Sequence, residues 1–455
     1  MPAEPAPSAV PVVSSASDHS PTALAAPVGD PPGGRGAWVA WSIGVTVYVL
    51  AVVHRTSLGV AGLDAATRFG INASALSTFS ILQVLVYAGM QIPVGLLVDR
   101  FGPRRILSVG LVLLTAGQLG FAFASAFGPA LASRAVLGCG DAMTFVSVLR
   151  IAARWFPVRQ GPFIAQLTGL VGTVGNLVST LVLSQVLHTA GWTPTFATTG
   201  LVGVGVLALT LAALREAPPG SPAAPRGAAS LPLARQIRAA WAEPGTRLGM
   251  WVHFTTAFPA STCLFLWGMP FLMQGQGLSR PAAGAMLSLI IASGMFFAVA
   301  FGQLMSRRPS LRTPTVFAVV LGTGLLWALV LSWPGGHVPM WLLLVLFAAM
   351  GSNGPASLIG LDYARPVNPP ERIGTASGIV NMGGFAAAVL ALLGVGVLLD
   401  AVGPGAGGGD TYTTGAFRVA FCALYLPMAL GLVQILRLRR PAALREAAPA
   451  PQFTA

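Results

Sequence analysis

Polar residues punctuate this chain instead of alternating with apolar ones. Apolar stretches cover residues 37–61, 74–97, 105–126, 130–154, 161–187 and 194–214, and then 247–272, 282–305, 313–332, 339–363, 372–400 and 415–436. Each approaches or exceeds the ~20 residues that a helix needs to cross a hydrocarbon core ~30 Å thick. The pattern therefore predicts an all-α membrane protein with twelve transmembrane helices, arranged as six-helix bundles over 37–214 and 247–436. Between them, 215–246 begins with a PPGSPAAPRG linker and continues as a basic stretch around Arg235 and Arg238, which reads as an amphipathic helix at the membrane surface. Residues 1–36 and 437–455 read as disordered cytoplasmic tails. The first lacks the basic-then-apolar succession of a signal peptide.

Composition narrows the class. Hydrophobic residues make up 54% of the 455 positions and charged ones 9%, against about 25% charged in a soluble domain. A soluble globular enzyme is excluded, as is disorder for the bulk of the chain. All 26 basic residues are arginine, which together with abundant Ala, Gly and Pro suggests a high-GC bacterial genome. A net charge of +13 would point a soluble protein toward nucleic acid; here the placement of the arginines matters more. With both termini in the cytoplasm, twenty arginines fall in cytoplasmic segments, only Arg68, Arg280 and Arg418 lie outside, and Arg55, Arg134 and Arg150 lie within spans. The positive-inside rule thus predicts a multi-pass protein of the cytoplasmic membrane with both ends inside, a partner for lipid and not for nucleic acid. Cys139, Cys263 and Cys422 are isolated in apolar runs and read as small hydrophobes. No phosphate-binding loop, dinucleotide fingerprint, metal cluster or nucleophile constellation occurs, so no cofactor or metal is expected, and an ATP-driven pump is not.

The halves repeat. RWFPVRQG (154–161) leads into a glycine-rich span 5, and RPVNPPERIG (365–374) into a glycine-rich span 11; GLLVDRFGPRR after span 2 has a worn copy, GQLMSRRPSLR, after span 8. This is a duplicated, pseudo-symmetric six-helix unit. GLLVDRFGPRR carries Gly95, Asp99, Arg100, Gly102, Arg104 and Arg105 in a short loop between spans, and it resembles the signature loop of the major facilitator superfamily. Gly95 permits close helix approach, and the arginines suit anionic headgroups. The resemblance implies the major facilitator fold and gives Asp99 the role of a conformational latch that stabilises the outward-open state through contacts between the halves. The second copy has Ser306 where the acid would stand, which makes the latch one-sided.

An ionisable side chain at the bilayer centre costs at least ~2.5–3.5 kcal/mol, so the few such residues mark a pathway. Span 1 carries His54 and Arg55, with Tyr48 seven residues earlier on the same face; span 4 carries Arg134 and Asp141, also seven apart. Span 2 has Gln83, Tyr87 and Gln91 at i, i+4 and i+8, a polar stripe that must face protein or water. Span 7 adds His253 and bends expected at Pro259 and Pro270; span 10 adds Asn353. HRTSLGVAGLDAATRFGI with ILQVLVYAGMQIPVGLLVDRFGPRR resembles spans 1 and 2 of the anion:cation symporter branch, and RAVLGCGDAMTF resembles its span 4. That resemblance implies that Arg55 meets a substrate carboxylate and that Asp141, with Arg134, carries the coupling proton. His54 stands where many members of that branch have an acid.

The reading is a monomeric secondary transporter of a small organic solute, with a carboxylate or other organic anion as the candidate class, working by alternating access and coupled to protons. Asp141 is expected to pair with Arg134 or a nearby arginine until protonated, while Tyr48, Arg55, Gln83, Tyr87, Gln91, His253 and Asn353 are candidates to meet substrate. Two alternatives stand beside it. One is a proton-driven efflux antiporter, although Asn176 after Gly175 departs from the Gly-Pro pair usual in span 5 of such proteins; the other is a sensor that keeps the fold without transporting.

Overall fold

The computed structural model describes residues 33–157, 160–219, 233–369, 372–403 and 412–447. Among them, twelve helices are long and apolar enough to cross a membrane. In chain order the helices are α1 (Arg35–Phe69), α2 (Ala73–Phe101), α3 (Pro103–Phe123), α4 (Phe127–Trp155), α5 (Phe163–Ala190), α6 (Trp192–Ala213), a short α7 (Leu233–Ala242), α8 (Pro244–Gly275), α9 (Arg280–Arg307), α10 (Arg312–Ser332), α11 (Met340–Ala364), α12 (Ile373–Val402) and α13 (Thr414–Ala442). The expected tails begin elsewhere. Arg35 and Gly36 already belong to α1, and helix continues past Arg437 to Ala447; residues 1–32 and 448–455, like the linker positions 220–232, lie outside the described residues.

Helix ends follow local chemistry. Asn72, which with Ser74 forms a glycosylation-like NAS triplet, instead caps α2 by accepting from the Ala75 N–H at 3.0 Å. Gly70 ends α1 with φ of 59°, the left-handed turn that glycine adopts without penalty. In α7, Arg235 and Arg238 are exposed while Ala240 packs with Ala364, Ala376 and Val380, which is the amphipathic division expected. The expected bends of α8 take a specific form: π-helical segments follow both prolines, over Cys263–Trp267 and Phe271–Gly275. Proline lacks an N–H for the helical ladder, and widening the next turn relieves the interruption.

Packing distinguishes a lipid face from interior faces. On α6, Leu201, Val202, Val204, Leu209 and Leu211 point outward, as lipid requires. Within the first half, α3 and α4 approach through Gly110 and Gly140, where an added methyl on Gly140 would collide with the Gly110 carbonyl.

The two halves meet at one end. We call it the distal end: α1 stops and α2 starts there, opposite the end that holds the first and last described residues. A methyl on Gly59 would strike the Leu264 carbonyl of α8, Gly62 lies 3.1 Å by the same measure from Leu266, and Gly396 of α12 lies 3.0 Å from the Ala73 carbonyl. Ser80 donates to the Phe265 carbonyl at 3.2 Å, and the Thr180 and Ser288 hydroxyls are 2.9 Å apart. At the proximal end the glycines of the facing helices, Gly95, Gly169, Gly374 and Gly378, have open space beside them. Among the described residues, nothing lies within contact distance of a Cβ placed on Gly95, so the close approach expected there is not made in this conformation.

Candidate functional site

Helix α1 brings Arg55 to the inner face of the first half, and α4 brings Asp141 opposite it. The pair is bidentate. Nε of Arg55 donates to Oδ2 of Asp141 at 2.7 Å and Nη2 donates to Oδ1 at 2.7 Å, the fork geometry that makes arginine–carboxylate pairs strong and directional. Asp141 is wholly inaccessible, whereas Arg55 keeps 15% of its side chain open. The guanidinium is thus the accessible partner of the pair and the carboxylate the shielded one.

Asp141 does not pair with Arg134. Seven residues on one helix are ~10 Å apart along the axis, and Arg134 turns instead toward α1. Its Nη1 donates to the His54 carbonyl and to Oγ of Ser57, both at 3.3 Å, and Nη2 donates to the Arg55 carbonyl at 3.4 Å. The face of Phe121 lies 5.0 Å away. Arg134 is fully buried and is bonded only to neutral oxygens, so it holds the Arg55-bearing turn of α1 in place while leaving a positive charge behind it.

The stripe on α2 divides three ways. Tyr87 lies under Arg55, with the guanidinium carbon 4.5 Å from the ring centre, a cation–π geometry. Its ring also meets Phe385 of α12 edge to face at 5.2 Å, an aromatic contact joining the halves near the charged pair. Gln83 is buried where Gly138 lets α4 approach: a Cβ there would lie 3.0 Å from the Gln83 carbonyl. Among the described residues, Gln83 Nε2 has no hydrogen-bond partner. Gln91 donates to the carbonyl of Tyr87 at 3.3 Å. Tyr48 packs on Phe145 at 5.1 Å and fills the space left by Gly172.

In the second half, His253 is buried against Gly384, which has no Cβ to displace it, and among the described residues His253 Nδ1 has no hydrogen-bond partner. Asn353 donates from Nδ2 to Oγ1 of Thr323 on α10 at 3.3 Å. That bond between neighbouring helices is reason enough for its burial, and no hydrogen bond joins it to Arg55 or Asp141. Asp362 lies 3.7 Å from Arg365, a local pair.

At the proximal loop, Gly102 has φ of 87° and Glu216 covers it, itself 3.5 Å from Arg154. Arg104 donates to the Leu211 carbonyl at 2.6 Å, Arg100 stacks over Phe101 at 5.2 Å, and Arg105 is exposed. These contacts are all within the first half. The Asp99 side chain lies outside the described part of the structure. Among the described residues, no group of three or more His, Cys, Asp or Glu is placed to hold a metal ion.

The sequence reading missed Asp400. This acid ends α12 and accepts from the N–H groups of Ala73 and Ser74 on α2 of the other half, at 3.0 and 2.8 Å, and from the Tyr412 hydroxyl at 2.8 Å. An acid in the last turn of a helix opposes the helix dipole, and that was the available signal that it had a partner elsewhere. Here the partner is the N-terminus of a second helix. A further cross-half pair joins Arg280 to Asp64 at 3.0 Å.

Known proteins agree with this architecture. The probable sulfoacetate transporter SauU of Cupriavidus necator is 27% identical over 159 residues, 35% of this chain and 37% of that protein. Over that match the chain thus spans little more than a third of its relative. The probable galactarate/D-glucarate transporter GarP of Escherichia coli K12 is 23% identical over 407 residues, 80% of this chain and 89% of that protein. Among solved structures, a bacterial homologue of the human lysosomal transporter Spinster, in an inward-facing and unoccupied conformation, superposes with a TM-score of 0.74 at 16% identity, covering 92% of this chain and 100% of that one. The family model for the Major Facilitator Superfamily matches residues 44–392, from the body of α1 into α12. With that match spanning most of both six-helix halves, this chain belongs to the Major Facilitator Superfamily.

Proposed function

We propose that this chain is a secondary transporter of a small organic anion, a carboxylate or sulfonate, that alternates access between its two halves and binds the anion together with a proton at one buried arginine–carboxylate pair. The observation that carries the reading is the Arg55–Asp141 pair, with its guanidinium partly accessible and its carboxylate shielded. A solute anion entering from the open proximal end meets Arg55 first. It can take the place of Asp141 in the fork, and the released carboxylate then takes up a proton, because an unpaired charge in a buried site costs several kcal/mol. Release of the anion reverses the swap: the Asp141 O–H bond breaks and the ion pair reforms. The names of SauU and GarP, a sulfonated acid and two sugar diacids, lie in the same chemical class.

The arginine distribution supports placing the proximal end in the cytoplasm and the protein in the cytoplasmic membrane. The conformation described is then open inward, the monomer is the transporting unit, and Asp99 is poised to act once the proximal ends close. Proteoliposomes with an imposed pH gradient test the scheme. Asp141→Asn loses uphill movement of a substrate anion while retaining exchange across the membrane; uphill movement that survives the substitution refutes proton coupling here. Arg55→Ala weakens anion binding about 100-fold or more, and unchanged affinity removes arginine recognition. The direction of net flux in energised vesicles separates uptake from efflux, and an absence of any flux with retained binding would identify a sensor.

A further inference from the structure

The distal end contains a second cationic site. Leu63, Asp64, Thr67, Arg68 and Arg280 line an open surface concavity of about 590 Å³ there. Arg280 belongs to the second half and the other four to α1. Arg280 donates to both Asp64 oxygens, at 3.0 and 3.3 Å, and reaches the Val60 carbonyl at 3.4 Å. Asp64 keeps 32% of its side chain accessible and Arg280 15%, so water and small solutes reach the pair. Arg68 has no acid beside it among the described residues. Its Nε and Nη2 both donate to the Ala124 carbonyl, at 3.2 and 2.9 Å, and its guanidinium lies 5.5 Å from the Trp192 ring. The concavity therefore holds two guanidinium groups and one carboxylate, an excess of one positive charge.

Such a concavity suits an anion, and the anion it admits competes with Asp64. Two arginines lining one concavity offer guanidinium forks to a short diacid or to a single carboxylate. The competitor has a mechanical consequence, because the Arg280–Asp64 bond ties α9 to α1 across the closed distal seam. A ligand that binds only when this bond is open draws the population toward the distally open state by its difference in affinity for the two states.

We propose that the distal vestibule is a second, weaker binding site for a small organic carboxylate, held between Arg68 and Arg280, and that filling it frees Asp64 and loosens the distal closure. The ligand class rests on the organic-anion reading above; the site does not rest on Arg55. The test uses the full chain in lipid nanodiscs with D-glucarate as the probe and calorimetric titration as the readout. Spin labels on the distal ends of α1 and α9 report separation of the halves. Arg55→Ala is expected to abolish the tighter binding and leave a weaker component that falls at least tenfold on adding Arg68→Gln or Arg280→Gln. Arg68→Lys retains part of that component and controls for misfolding. In the Arg55→Ala protein, D-glucarate widens the distal distance, and Asp64→Asn widens it without ligand.

The outcomes separate the two proposals. Complete loss of binding in Arg55→Ala overturns the vestibule site and leaves the transport reading standing. Binding untouched by Arg55→Ala but lost with Arg68→Gln keeps the vestibule and refutes recognition at Arg55. A weak component that survives Arg68→Gln and Arg280→Gln overturns the vestibule, and a wild-type protein that binds no D-glucarate overturns it too.

Discussion

Removing the Asp400 carboxylate should open the distal end by an amount the structure lets us calculate. In Asp400→Ala, the Ala73 and Ser74 N–H groups, held at 3.0 and 2.8 Å, lose an ionised acceptor. Hydrogen bonds to charged groups contribute about 1.5–3 kcal/mol each, and a carboxylate at a helix N-terminus adds about 0.3–1 kcal/mol. Asp400 is only partly buried, so water replaces part of what is lost, and we take roughly 2 kcal/mol in all, below the lower bound for the two bonds. At about 1.4 kcal/mol per factor of ten, this shifts the ratio of distally closed to distally open molecules roughly 30-fold. Asp400→Asn keeps a neutral acceptor and is expected to shift it about fivefold, or ~1 kcal/mol. Pulsed electron-electron distance measurements between labels on the distal ends of α2 and α13 give the two populations directly. Asp64→Asn added to Asp400→Ala should act additively, since the two bonds share no residue. A distal population within twofold of wild type in Asp400→Ala, or a larger effect from Asn than from Ala, refutes the assignment of Asp400 as a clamp between the halves.

Three further outcomes follow from the packing and the buried charges. Gly59→Ala places a methyl against the Leu264 backbone carbonyl of the opposite half, so the same labels should report a distally open molecule with the first half intact. Asp141→Asn leaves the Arg55 guanidinium without its counter-charge; breaking such a buried pair costs about 3–5 kcal/mol, and a lower Tm that a bound organic anion partly restores is the expected thermal-shift result. Gly140→Ala forces α3 and α4 apart at Gly110 and should destabilise the protein by about 1–3 kcal/mol without changing the balance between open and closed states. A changed distance distribution would contradict that separation.

Much of this was legible in the sequence because the bilayer imposes a simple rule. A charge within an apolar run must have a reason, so Arg55, Arg134 and Asp141 stood out; helical spacing put Tyr48 on the face of Arg55 and Tyr87 in a polar stripe of its own helix. The pairing among them was not legible. Whether Asp141 meets Arg55 or Arg134 depends on how far α1 is rotated against α4, which spacing along one helix does not fix. Asn353 and Gln91 show the converse difficulty. A polar residue in a span serves equally well as a bond to a neighbouring helix or to its own backbone, and both of these do so. The distal clamp escaped because its partners, Asp400 and Ala73, are more than 300 residues apart, and because its acceptor bonds backbone N–H groups, which no side-chain motif announces.

The burial of Arg134 has an electrical consequence. Its guanidinium is bonded to two carbonyls, a serine hydroxyl and an aromatic face, none of which neutralises it. With Arg55 and Asp141 cancelling each other, the empty binding cluster carries one surplus positive charge that stays with the first half as it rocks. Moving a unit charge through the full membrane potential is worth about 2.3 kcal/mol per 100 mV, so even a fraction of that path gives the resting voltage leverage over the unloaded protein. In the proposed orientation, with the proximal end inside a negative cytoplasm, the voltage would favour the conformation described here. Binding a monovalent anion together with a proton adds no net charge and leaves that leverage in place, whereas a divalent anion accompanied by a single proton cancels it. The valence of the cargo would therefore decide whether the return step responds to voltage.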